Sequence, residues 1–535
     1  MSRTIITEEV GGPRLGPYHG ASVTRLALAG LAAITFVAAI LLAADTRPTH
    51  GGFDVRFLAV HGRRIDTIVY DFTGDGKPDI LNTSIDFDAD PPVRWLALHP
   101  QLSNGTFPEA PTQIWSVDPR CCALVFGDVL PGGGIEICFL APDGVYAYPW
   151  DKNAIAEEPV KLIHTRTYFA NPSERSLPIW GWAGDLDANG LHDLVVPGPD
   201  GYKIYFQTKP GLFGKVCSLE ASMKVKSLAV RRSAMTSDLL AALFNYVEEL
   251  PKVTPVDIDG DGRADLVAID GSNVTVWLQK QPMEFRSTMG WKTQYGAQVL
   301  EETVKKDVVN LATVSFADID GDQNVDLIVT KIYGELGLFS SIKTTIVICY
   351  GNGKGDFNAA HKINIDGVSL DPQIIDMNGD GAKDIMTSRL RTDLINKAME
   401  GYVLGDIQVD YEVFEYDRAK HNFLPSPVYS YPVSITFKDI KDKGAASRPM
   451  MLVAGDFSGD GRPDQVRLNP KTDTIEWHQG RSAGNGRIDF MPQEWQTYKP
   501  ERSPKFMQVY DVNGDGLADL MMYYGGSVGL LLSKK

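Results

Sequence analysis

From residue 80 onward the chain is punctuated by short apolar runs rich in β-branched residues: ILNTSI from Ile80, LVVPG from Leu194, LVAID from Leu266, LIVTK from Leu327 and LMMYY from Leu520. Runs of this length, bounded by Gly, Pro, Asn and Asp, predict buried strands. Two stretches have a different period. SDLLAALFNYVEEL from Ser237 and RTDLINKAMEGY from Arg391 show helical apolar spacing after a polar start, which predicts short helices. Residues 26–44, LALAGLAAITFVAAILLAA, differ again: nineteen residues without a charge, just enough to cross a hydrocarbon core of about 30 Å as a helix. A cleaved secretory leader is the rival reading, but its apolar core is shorter and follows a short basic start, whereas this run follows 25 residues that include Glu8 and Glu9. The pattern therefore divides the chain into a tail (1–25), a transmembrane signal anchor (26–44), a linker (45–52) and a folded region (53–535).

Each apolar run after a fixed acidic turn repeats one nonapeptide. The copies are DFTGDGKPD from Asp71, DLDANGLHD from Asp185, DIDGDGRAD from Asp257, DIDGDQNVD from Asp318, DMNGDGAKD from Asp376, DFSGDGRPD from Asp456 and DVNGDGLAD from Asp511. Oxygen-bearing side chains stand at positions 1, 3, 5 and 9 of every copy. They are Asp71, Thr73, Asp75 and Asp79; Asp185, Asp187, Asn189 and Asp193; Asp257, Asp259, Asp261 and Asp265; and Asp318, Asp320, Asp322 and Asp326. The last three sets are Asp376, Asn378, Asp380 and Asp384; Asp456, Ser458, Asp460 and Asp464; and Asp511, Asn513, Asp515 and Asp519. Oxygens at odd positions converge on a hard cation when the backbone turns sharply, and Ca²⁺ takes about six to eight of them, with the position 7 carbonyl available as one more. Glycine at position 6 makes a left-handed turn inexpensive. The fourth copy has Gln323 there, which predicts a weaker loop.

A helix-loop-helix calcium hand also opens with D-x-D-G-D-G, but it ends on a bidentate Glu at position 12 and enters a helix. Here position 12 is Asn82, Val196, Ala268, Val329, Thr387, Arg467 or Met522, and strands follow. A second turn closing on Phe comes after the next strand, as in SNGTF from Ser103, GNGKGDF from Gly351 and NGRIDF from Asn485. Strand, D-x-D-x-D-G-x-x-D, strand and a Gly-rich turn ending in Phe together resemble the FG-GAP or VCBS repeats of integrin-alpha-type calcium-binding β-propellers, over residues 53–535. The resemblance implies an all-β fold, up to about seven Ca²⁺ ions and a binding role outside the cytosol.

The first aspartates are 114, 72, 61, 58, 80 and 55 residues apart, and the longest gap holds two repeats. Within it, FGDVLPGGGIEICFL from Phe126 keeps the strands and Asp128 but lacks the acidic cage, so it predicts a blade without metal. Eight repeats of about 60 residues predict an eight-bladed propeller, with seven blades as the alternative. The last repeat is one strand short, while VRFLAV at Val55 has no blade of its own. Pairing the two would close the ring and remove an open edge.

The chain's 52 basic and 68 acidic residues give a net charge of −16, with no basic run, which excludes nucleic acid as a partner. The seven copies hold 23 aspartates, so seven divalent ions would contribute +14 against that charge. Extracellular calcium modules bind at about 10⁻⁴–10⁻³ M, far above cytosolic levels, which places the propeller in the periplasm or outside the cell and residues 1–25 in the cytoplasm. The five cysteines form no zinc spacing; one bridge, from Cys121 or Cys122 to Cys138, is conceivable beside the reading of buried free thiols. Long segments at 82–93, 331–345, 388–410, 220–255 and 433–449 all map to the face opposite the acidic turns, where a protein or glycan partner is expected to bind. Trp180, Trp182, Trp277, Trp477 and Trp495 read as blade core, and the acidic Asp86, Asp88 and Asp90 as a solvated loop. No catalytic group is assigned; a polysaccharide lyase and a structural envelope subunit are the alternatives.

Overall fold

The computed structural model describes residues 52–534, apart from short breaks and the longer segments 228–246, 292–307, 391–405 and 437–451. The described residues form eight antiparallel blades, seven of four strands and one, blade 6, of five. Blade 1 runs Arg63–Tyr70, Asp79–Asp86, Val93–His99 and Gln113–Ser116, and blade 2 runs Ala123–Gly127, Glu136–Ala141, Gly144–Tyr148 and Val160–His164. Blades 3 to 7 follow at 183–220, 253–291, 308–366, 368–436 and 452–498. In blade 6 the short strand Val368–Ser369 pairs with Asp384–Leu390 beside Gln373–Ile375.

Blade 8 is built from both ends of the folded region. Phe506–Tyr510, Asp519–Tyr523 and Ser527–Ser533 come from the C-terminal end, and Phe53–Ala59 supplies the fourth strand. Its register runs from Phe53 opposite Ser533 to Ala59 opposite Ser527. The expected closure is therefore present, and the count is eight rather than seven. The first strands of neighbouring blades touch one another, as Ala183–Gly184 does Ala123–Gly127 and Leu452–Gly455 does Phe506–Tyr510, which puts first strands innermost.

The core lies between blades. Neighbouring sheets bury opposed apolar faces: Ile328, Ile346 and Ile348 of blade 5 meet Ile385 and Phe414 of blade 6, and Val466, Ile475 and Trp477 of blade 7 meet Leu520 and Met522 of blade 8. Trp180, Trp277 and Trp477 are buried as expected, whereas Trp495 is 39% exposed and Trp182 lies outside the described residues. Phe107, Phe423 and Phe490, which close the second turn, are also buried.

Several expected insertions are shorter than their sequence suggests. The polar alternation of 331–345 reads as a loop, but Asp326–Glu335 and Lys343–Gly351 extend as paired strands and leave only 336–342 between them. Blade 5 consequently has three ten-residue strands and one of nine. Residues 82–86 belong to a blade 1 strand, and the outer strand of blade 6 continues to Thr436. Of the two expected helices, 391–402 lies outside the described residues. The end of the other is a strand instead, with Val247–Glu248 pairing with Lys226–Ser227, because its β-branched valine finds a partner strand. Among the described residues no helix is long and apolar enough to cross a membrane, and residues 26–44 lie outside them. Cys121, Cys122, Cys138, Cys217 and Cys349 are all free thiols, so the conceivable bridge is not formed.

Candidate metal loops

Each acidic turn joins the first and second strands of its blade, and its position 9 aspartate is the first residue of the second strand. Asp79, Asp193, Asp265, Asp326, Asp384, Asp464 and Asp519 are each no more than 1% exposed. Both oxygens of this carboxylate accept backbone N–H groups. One takes the position 2 amide, as in Phe72 to Asp79 at 3.0 Å, Leu186 to Asp193 at 3.0 Å and Val512 to Asp519 at 3.0 Å. The other takes an amide at or just past the end of the third strand: Gln101 to Asp79 at 3.0 Å, Gln207 to Asp193 at 2.8 Å, Gln279 to Asp265 at 2.7 Å, Gly351 to Asp326 at 2.8 Å, Tyr416 to Asp384 at 3.0 Å, Gly480 to Asp464 at 3.1 Å and Ser533 to Asp519 at 2.7 Å. Position 9 therefore staples the acidic turn to the third connection, and both lie on one face of the ring.

Position 1 shapes the turn itself. Asp71 accepts the amides of Gly74 at 2.7 Å and Gly76 at 2.8 Å, and Asp376, Asp456 and Asp511 accept the corresponding glycine amides. Asp185 and Asp257 accept those of Gly190 and Gly262, and Asp318 those of Gly321 and Gln323. The position 5 oxygen of Asp75, Asn189, Asp261, Asp322, Asp380, Asp460 or Asp515 accepts the position 7 amide. Positions 4 and 6 have positive φ in every copy, including Ala188 at 60° and Gln323 at 72°. Gln323 therefore follows the glycine path, and the fourth copy keeps the common turn.

The structure brings ligand atoms of Asp185, Asp187 and Asp193, of Asp257, Asp259 and Asp265, and of Asp318, Asp320 and Asp326 within 4.8 Å of one another. These are the copies with Asp at position 3. The other four place Thr73, Asn378, Ser458 or Asn513 there; Ser458 Oγ lies 3.5 Å from Asp456, and Asn378 and Asn513 each lie 3.3 Å from the position 5 carboxylate. A direct test of fit comes from Asp187, which is 6% exposed yet has no hydrogen-bond partner for Oδ1. Asp259 Oδ1 is orphaned in the same way. A buried carboxylate oxygen aimed among two other carboxylates costs stability unless a cation completes it. The donor set is all oxygen and hard, so it fits Ca²⁺ and not a thiolate- or imidazole-seeking metal.

The electrostatics agree. Burial, with the like charges of neighbouring aspartates added, overcomes the backbone donors and pushes Asp193, Asp326, Asp384 and Asp519 up to about 7 and Asp265 and Asp464 to about 6. Asp79, Asp187 and Asp320 are raised for the same first cause. Without a cation, burial thus raises the position 9 carboxyl of every cage.

Two features escaped the sequence reading. In blade 2, Glu136 takes the position 9 place: it is 3% exposed, starts the second strand and accepts the amides of Val129 at 2.7 Å and Leu130 at 3.2 Å. Leu130 and Gly132 stand where positions 3 and 5 would be, so this turn keeps the buried acid on its own amides and lacks the cage. Glutamines also stitch neighbouring turns together. Gln101 Nε2 donates to Asn513 O at 2.7 Å, Gln207 Nε2 to Asp128 O at 3.1 Å and Gln279 Nε2 to Leu186 O at 2.6 Å. His192, at a non-ligand position, accepts the amide of Asp128 at 3.0 Å and joins the same belt.

Residues 257–329 match the family model described as the FG-GAP-like repeat. The chain thus carries an FG-GAP-like repeat within an eight-bladed β-propeller. No curated relative matches its sequence. Among solved structures, it is similar to an Agrocybe aegerita lectin, described by its specific recognition of non-reducing terminal N-acetylglucosamine, with 16% identity over 72% of this chain and 90% of that one and a TM-score of 0.41. It is also similar to the WD40 domain of SCAP from fission yeast, with 10% identity over 90% and 98% of the two chains and a TM-score of 0.31. Sqt1 from Chaetomium thermophilum is 11% identical over 91% and 100%, with a TM-score of 0.39.

Proposed function

We propose that the protein is a membrane-anchored, extracytoplasmic propeller that uses calcium as part of its fold and binds a protein or glycan partner through the face opposite the acidic turns. The observation that carries the calcium reading is the orphaned, buried Asp187 Oδ1 among the carboxylates of Asp185 and Asp193. Positions 1, 3, 5 and 9 of the seven turns would hold the ions, and the ions would supply charge neutralisation and cross-linking of each turn. Position 9 is already fixed by two amides and position 1 by the turn, so the cage is organised before metal arrives. Loops that bind as extracellular modules typically do, at about 10⁻⁴–10⁻³ M, would fill only outside the cytosol, which is why the propeller is assigned there. The apolar run 26–44 supports the anchor, with residues 1–25 inside.

The partner face is supported by where chain is inserted. Leu390 and Asp406 bracket 391–405 at the ends of blade 6 strands remote from Asp384, and Thr436 and Leu452 bracket 437–451 between blades 6 and 7. Counting calcium in the full chain, dialysed against millimolar calcium and then against chelator, tests the metal: about seven ions are expected, and none would overturn it. Deleting 237–250 tests the face: partner capture retained at full strength would remove that segment from the binding surface.

A further inference from the structure

Blades 4 and 5 carry the two cages with four aspartates each. Equal in formal charge, they differ in what meets the carboxylates. In blade 5, Asp320 accepts the amide of Asp322, and Asp322 accepts the backbone and side-chain amides of Asn324. In blade 4, two cations of the chain itself are drawn in: Lys280 Nζ lies against Asp259 Oδ2 and Arg263 Nη2 against Asp261 Oδ2. Arg263 is part of the turn and is held on its flank by Gln279 O at 3.2 Å. Lys280 comes from the third connection, directly after Gln279, whose amide is clamped by Asp265. Its stem therefore starts at the cage wall.

The site it reaches is buried. The Asp259 side chain is 6% exposed and its second oxygen has no hydrogen-bond partner, while Lys280 is 39% exposed and has room to withdraw. Among the described residues no ion pair reaches the matching Asp187 or Asp320. The place after the clamped amide is taken by Leu102, Thr208, Asn352, Asp417, Arg481 and Lys534 in the other metal-type blades, and Arg481 pairs with Asp489 instead. Lys77 and Asp75 in blade 1 offer a contrast at 3.5 Å, both 44% exposed, a solvated pair of little weight.

We propose that Lys280 is a tethered counter-cation for the blade 4 cage, holding Asp259 when no metal is bound and leaving when a divalent cation enters, so that this cage fills last of the three with Asp at positions 1, 3 and 9. The proposal rests on the calcium reading above. An ammonium and a divalent ion cannot share one buried carboxylate without repulsion, so the lysine's attraction is subtracted from the ion's at this site alone. With metal absent, the same lysine offsets the mutual repulsion of four aspartates.

Calcium bound per full-length chain at stepped free concentrations, together with melting temperatures in calcium and in chelator, tests this for wild type, Lys280→Met, Lys280→Arg and Lys77→Met. Lys280→Met is expected to move one ion-equivalent to about tenfold lower free calcium, to lower the melting temperature in chelator and to leave it unchanged or higher in saturating calcium. Lys280→Arg keeps the late site, and Lys77→Met matches wild type. An unchanged isotherm for Lys280→Met, or an equal loss of melting temperature with and without calcium, would overturn the counter-cation role while leaving the calcium reading intact. Absence of bound calcium in every chain would overturn both.

Discussion

Blades 2 and 3 are neighbours with nine-residue turns of the same length, and they solve the same problem differently. Blade 3 closes its turn with Asp193 and surrounds it with Asp185, Asp187 and Asn189, whereas blade 2 closes it with Glu136 and fills the equivalent places with Leu130 and Gly132. The common element is the buried acid at position 9 that binds backbone amides at the head of the second strand. The acids at positions 3 and 5 are the variable element. Blade 2 shows that the turn can be held by a buried acid without a cage, so the cage is an addition to a turn that is already held.

The largest expected effect follows from the common element. Asp519→Ala leaves the amides of Val512 and Ser533 buried without their acceptor in the blade that closes the ring, at a cost of about 3 kcal/mol. Glu136→Ala in blade 2 should show a loss of similar size, read by denaturant unfolding. The two variants separate with calcium: the Glu136→Ala loss is the same in calcium and chelator, while the Asp519→Ala loss grows in calcium because a ligand is lost as well. Equal calcium dependence in both would erase the distinction between staple and cage.

Next in size is a pH effect confined to the metal-free state. Asp193, Asp326, Asp384 and Asp519 hold their protons up to about pH 7 when folded, against roughly 3.9 when unfolded. A carboxyl raised in the folded state contributes stability below the unfolded value and loses it as pH rises to the folded value. In chelator the melting temperature should therefore fall between about pH 4 and pH 7, and in calcium that fall should vanish because the ion takes the proton's place. A parallel fall in calcium would contradict cage binding.

The smallest effect concerns the turn alone. Gln323 at φ 72° occupies a place where the other six copies have glycine, so Gln323→Gly should stabilise by about 1 kcal/mol, measured by unfolding in calcium.

Much of this architecture is written in the chain because the repeat couples chemistry to geometry: an acid at position 9 is needed wherever a second strand begins, and seven copies set the blade count almost unaided. Closure was legible from Phe53–Ala59, a strand with no blade of its own, and from a last repeat one strand short, ending at Ser527–Ser533. Glu136 was not, since one methylene more than aspartate and the loss of its acidic neighbours remove it from the motif while leaving its hydrogen bonds in place. Gln101, Gln207 and Gln279 carry no periodicity and act across blades, so only the folded ring shows their partners. The extended strands of blade 5 were hidden by polar residues such as Lys331 and Glu335, which read as loop until their ladder with Lys343–Gly351 and Val308–Ala317 is seen.

The most direct test of the account is the melting temperature of the full chain in millimolar calcium and in excess chelator at pH 7.5. The account expects a large calcium-dependent rise, since buried carboxylates in seven cages lose their mutual repulsion and the orphaned oxygens of Asp187 and Asp259 gain a partner. Identical melting temperatures in the two conditions would mean that the acidic turns are held by their own hydrogen bonds alone, as in blade 2, and would contradict calcium as part of the fold.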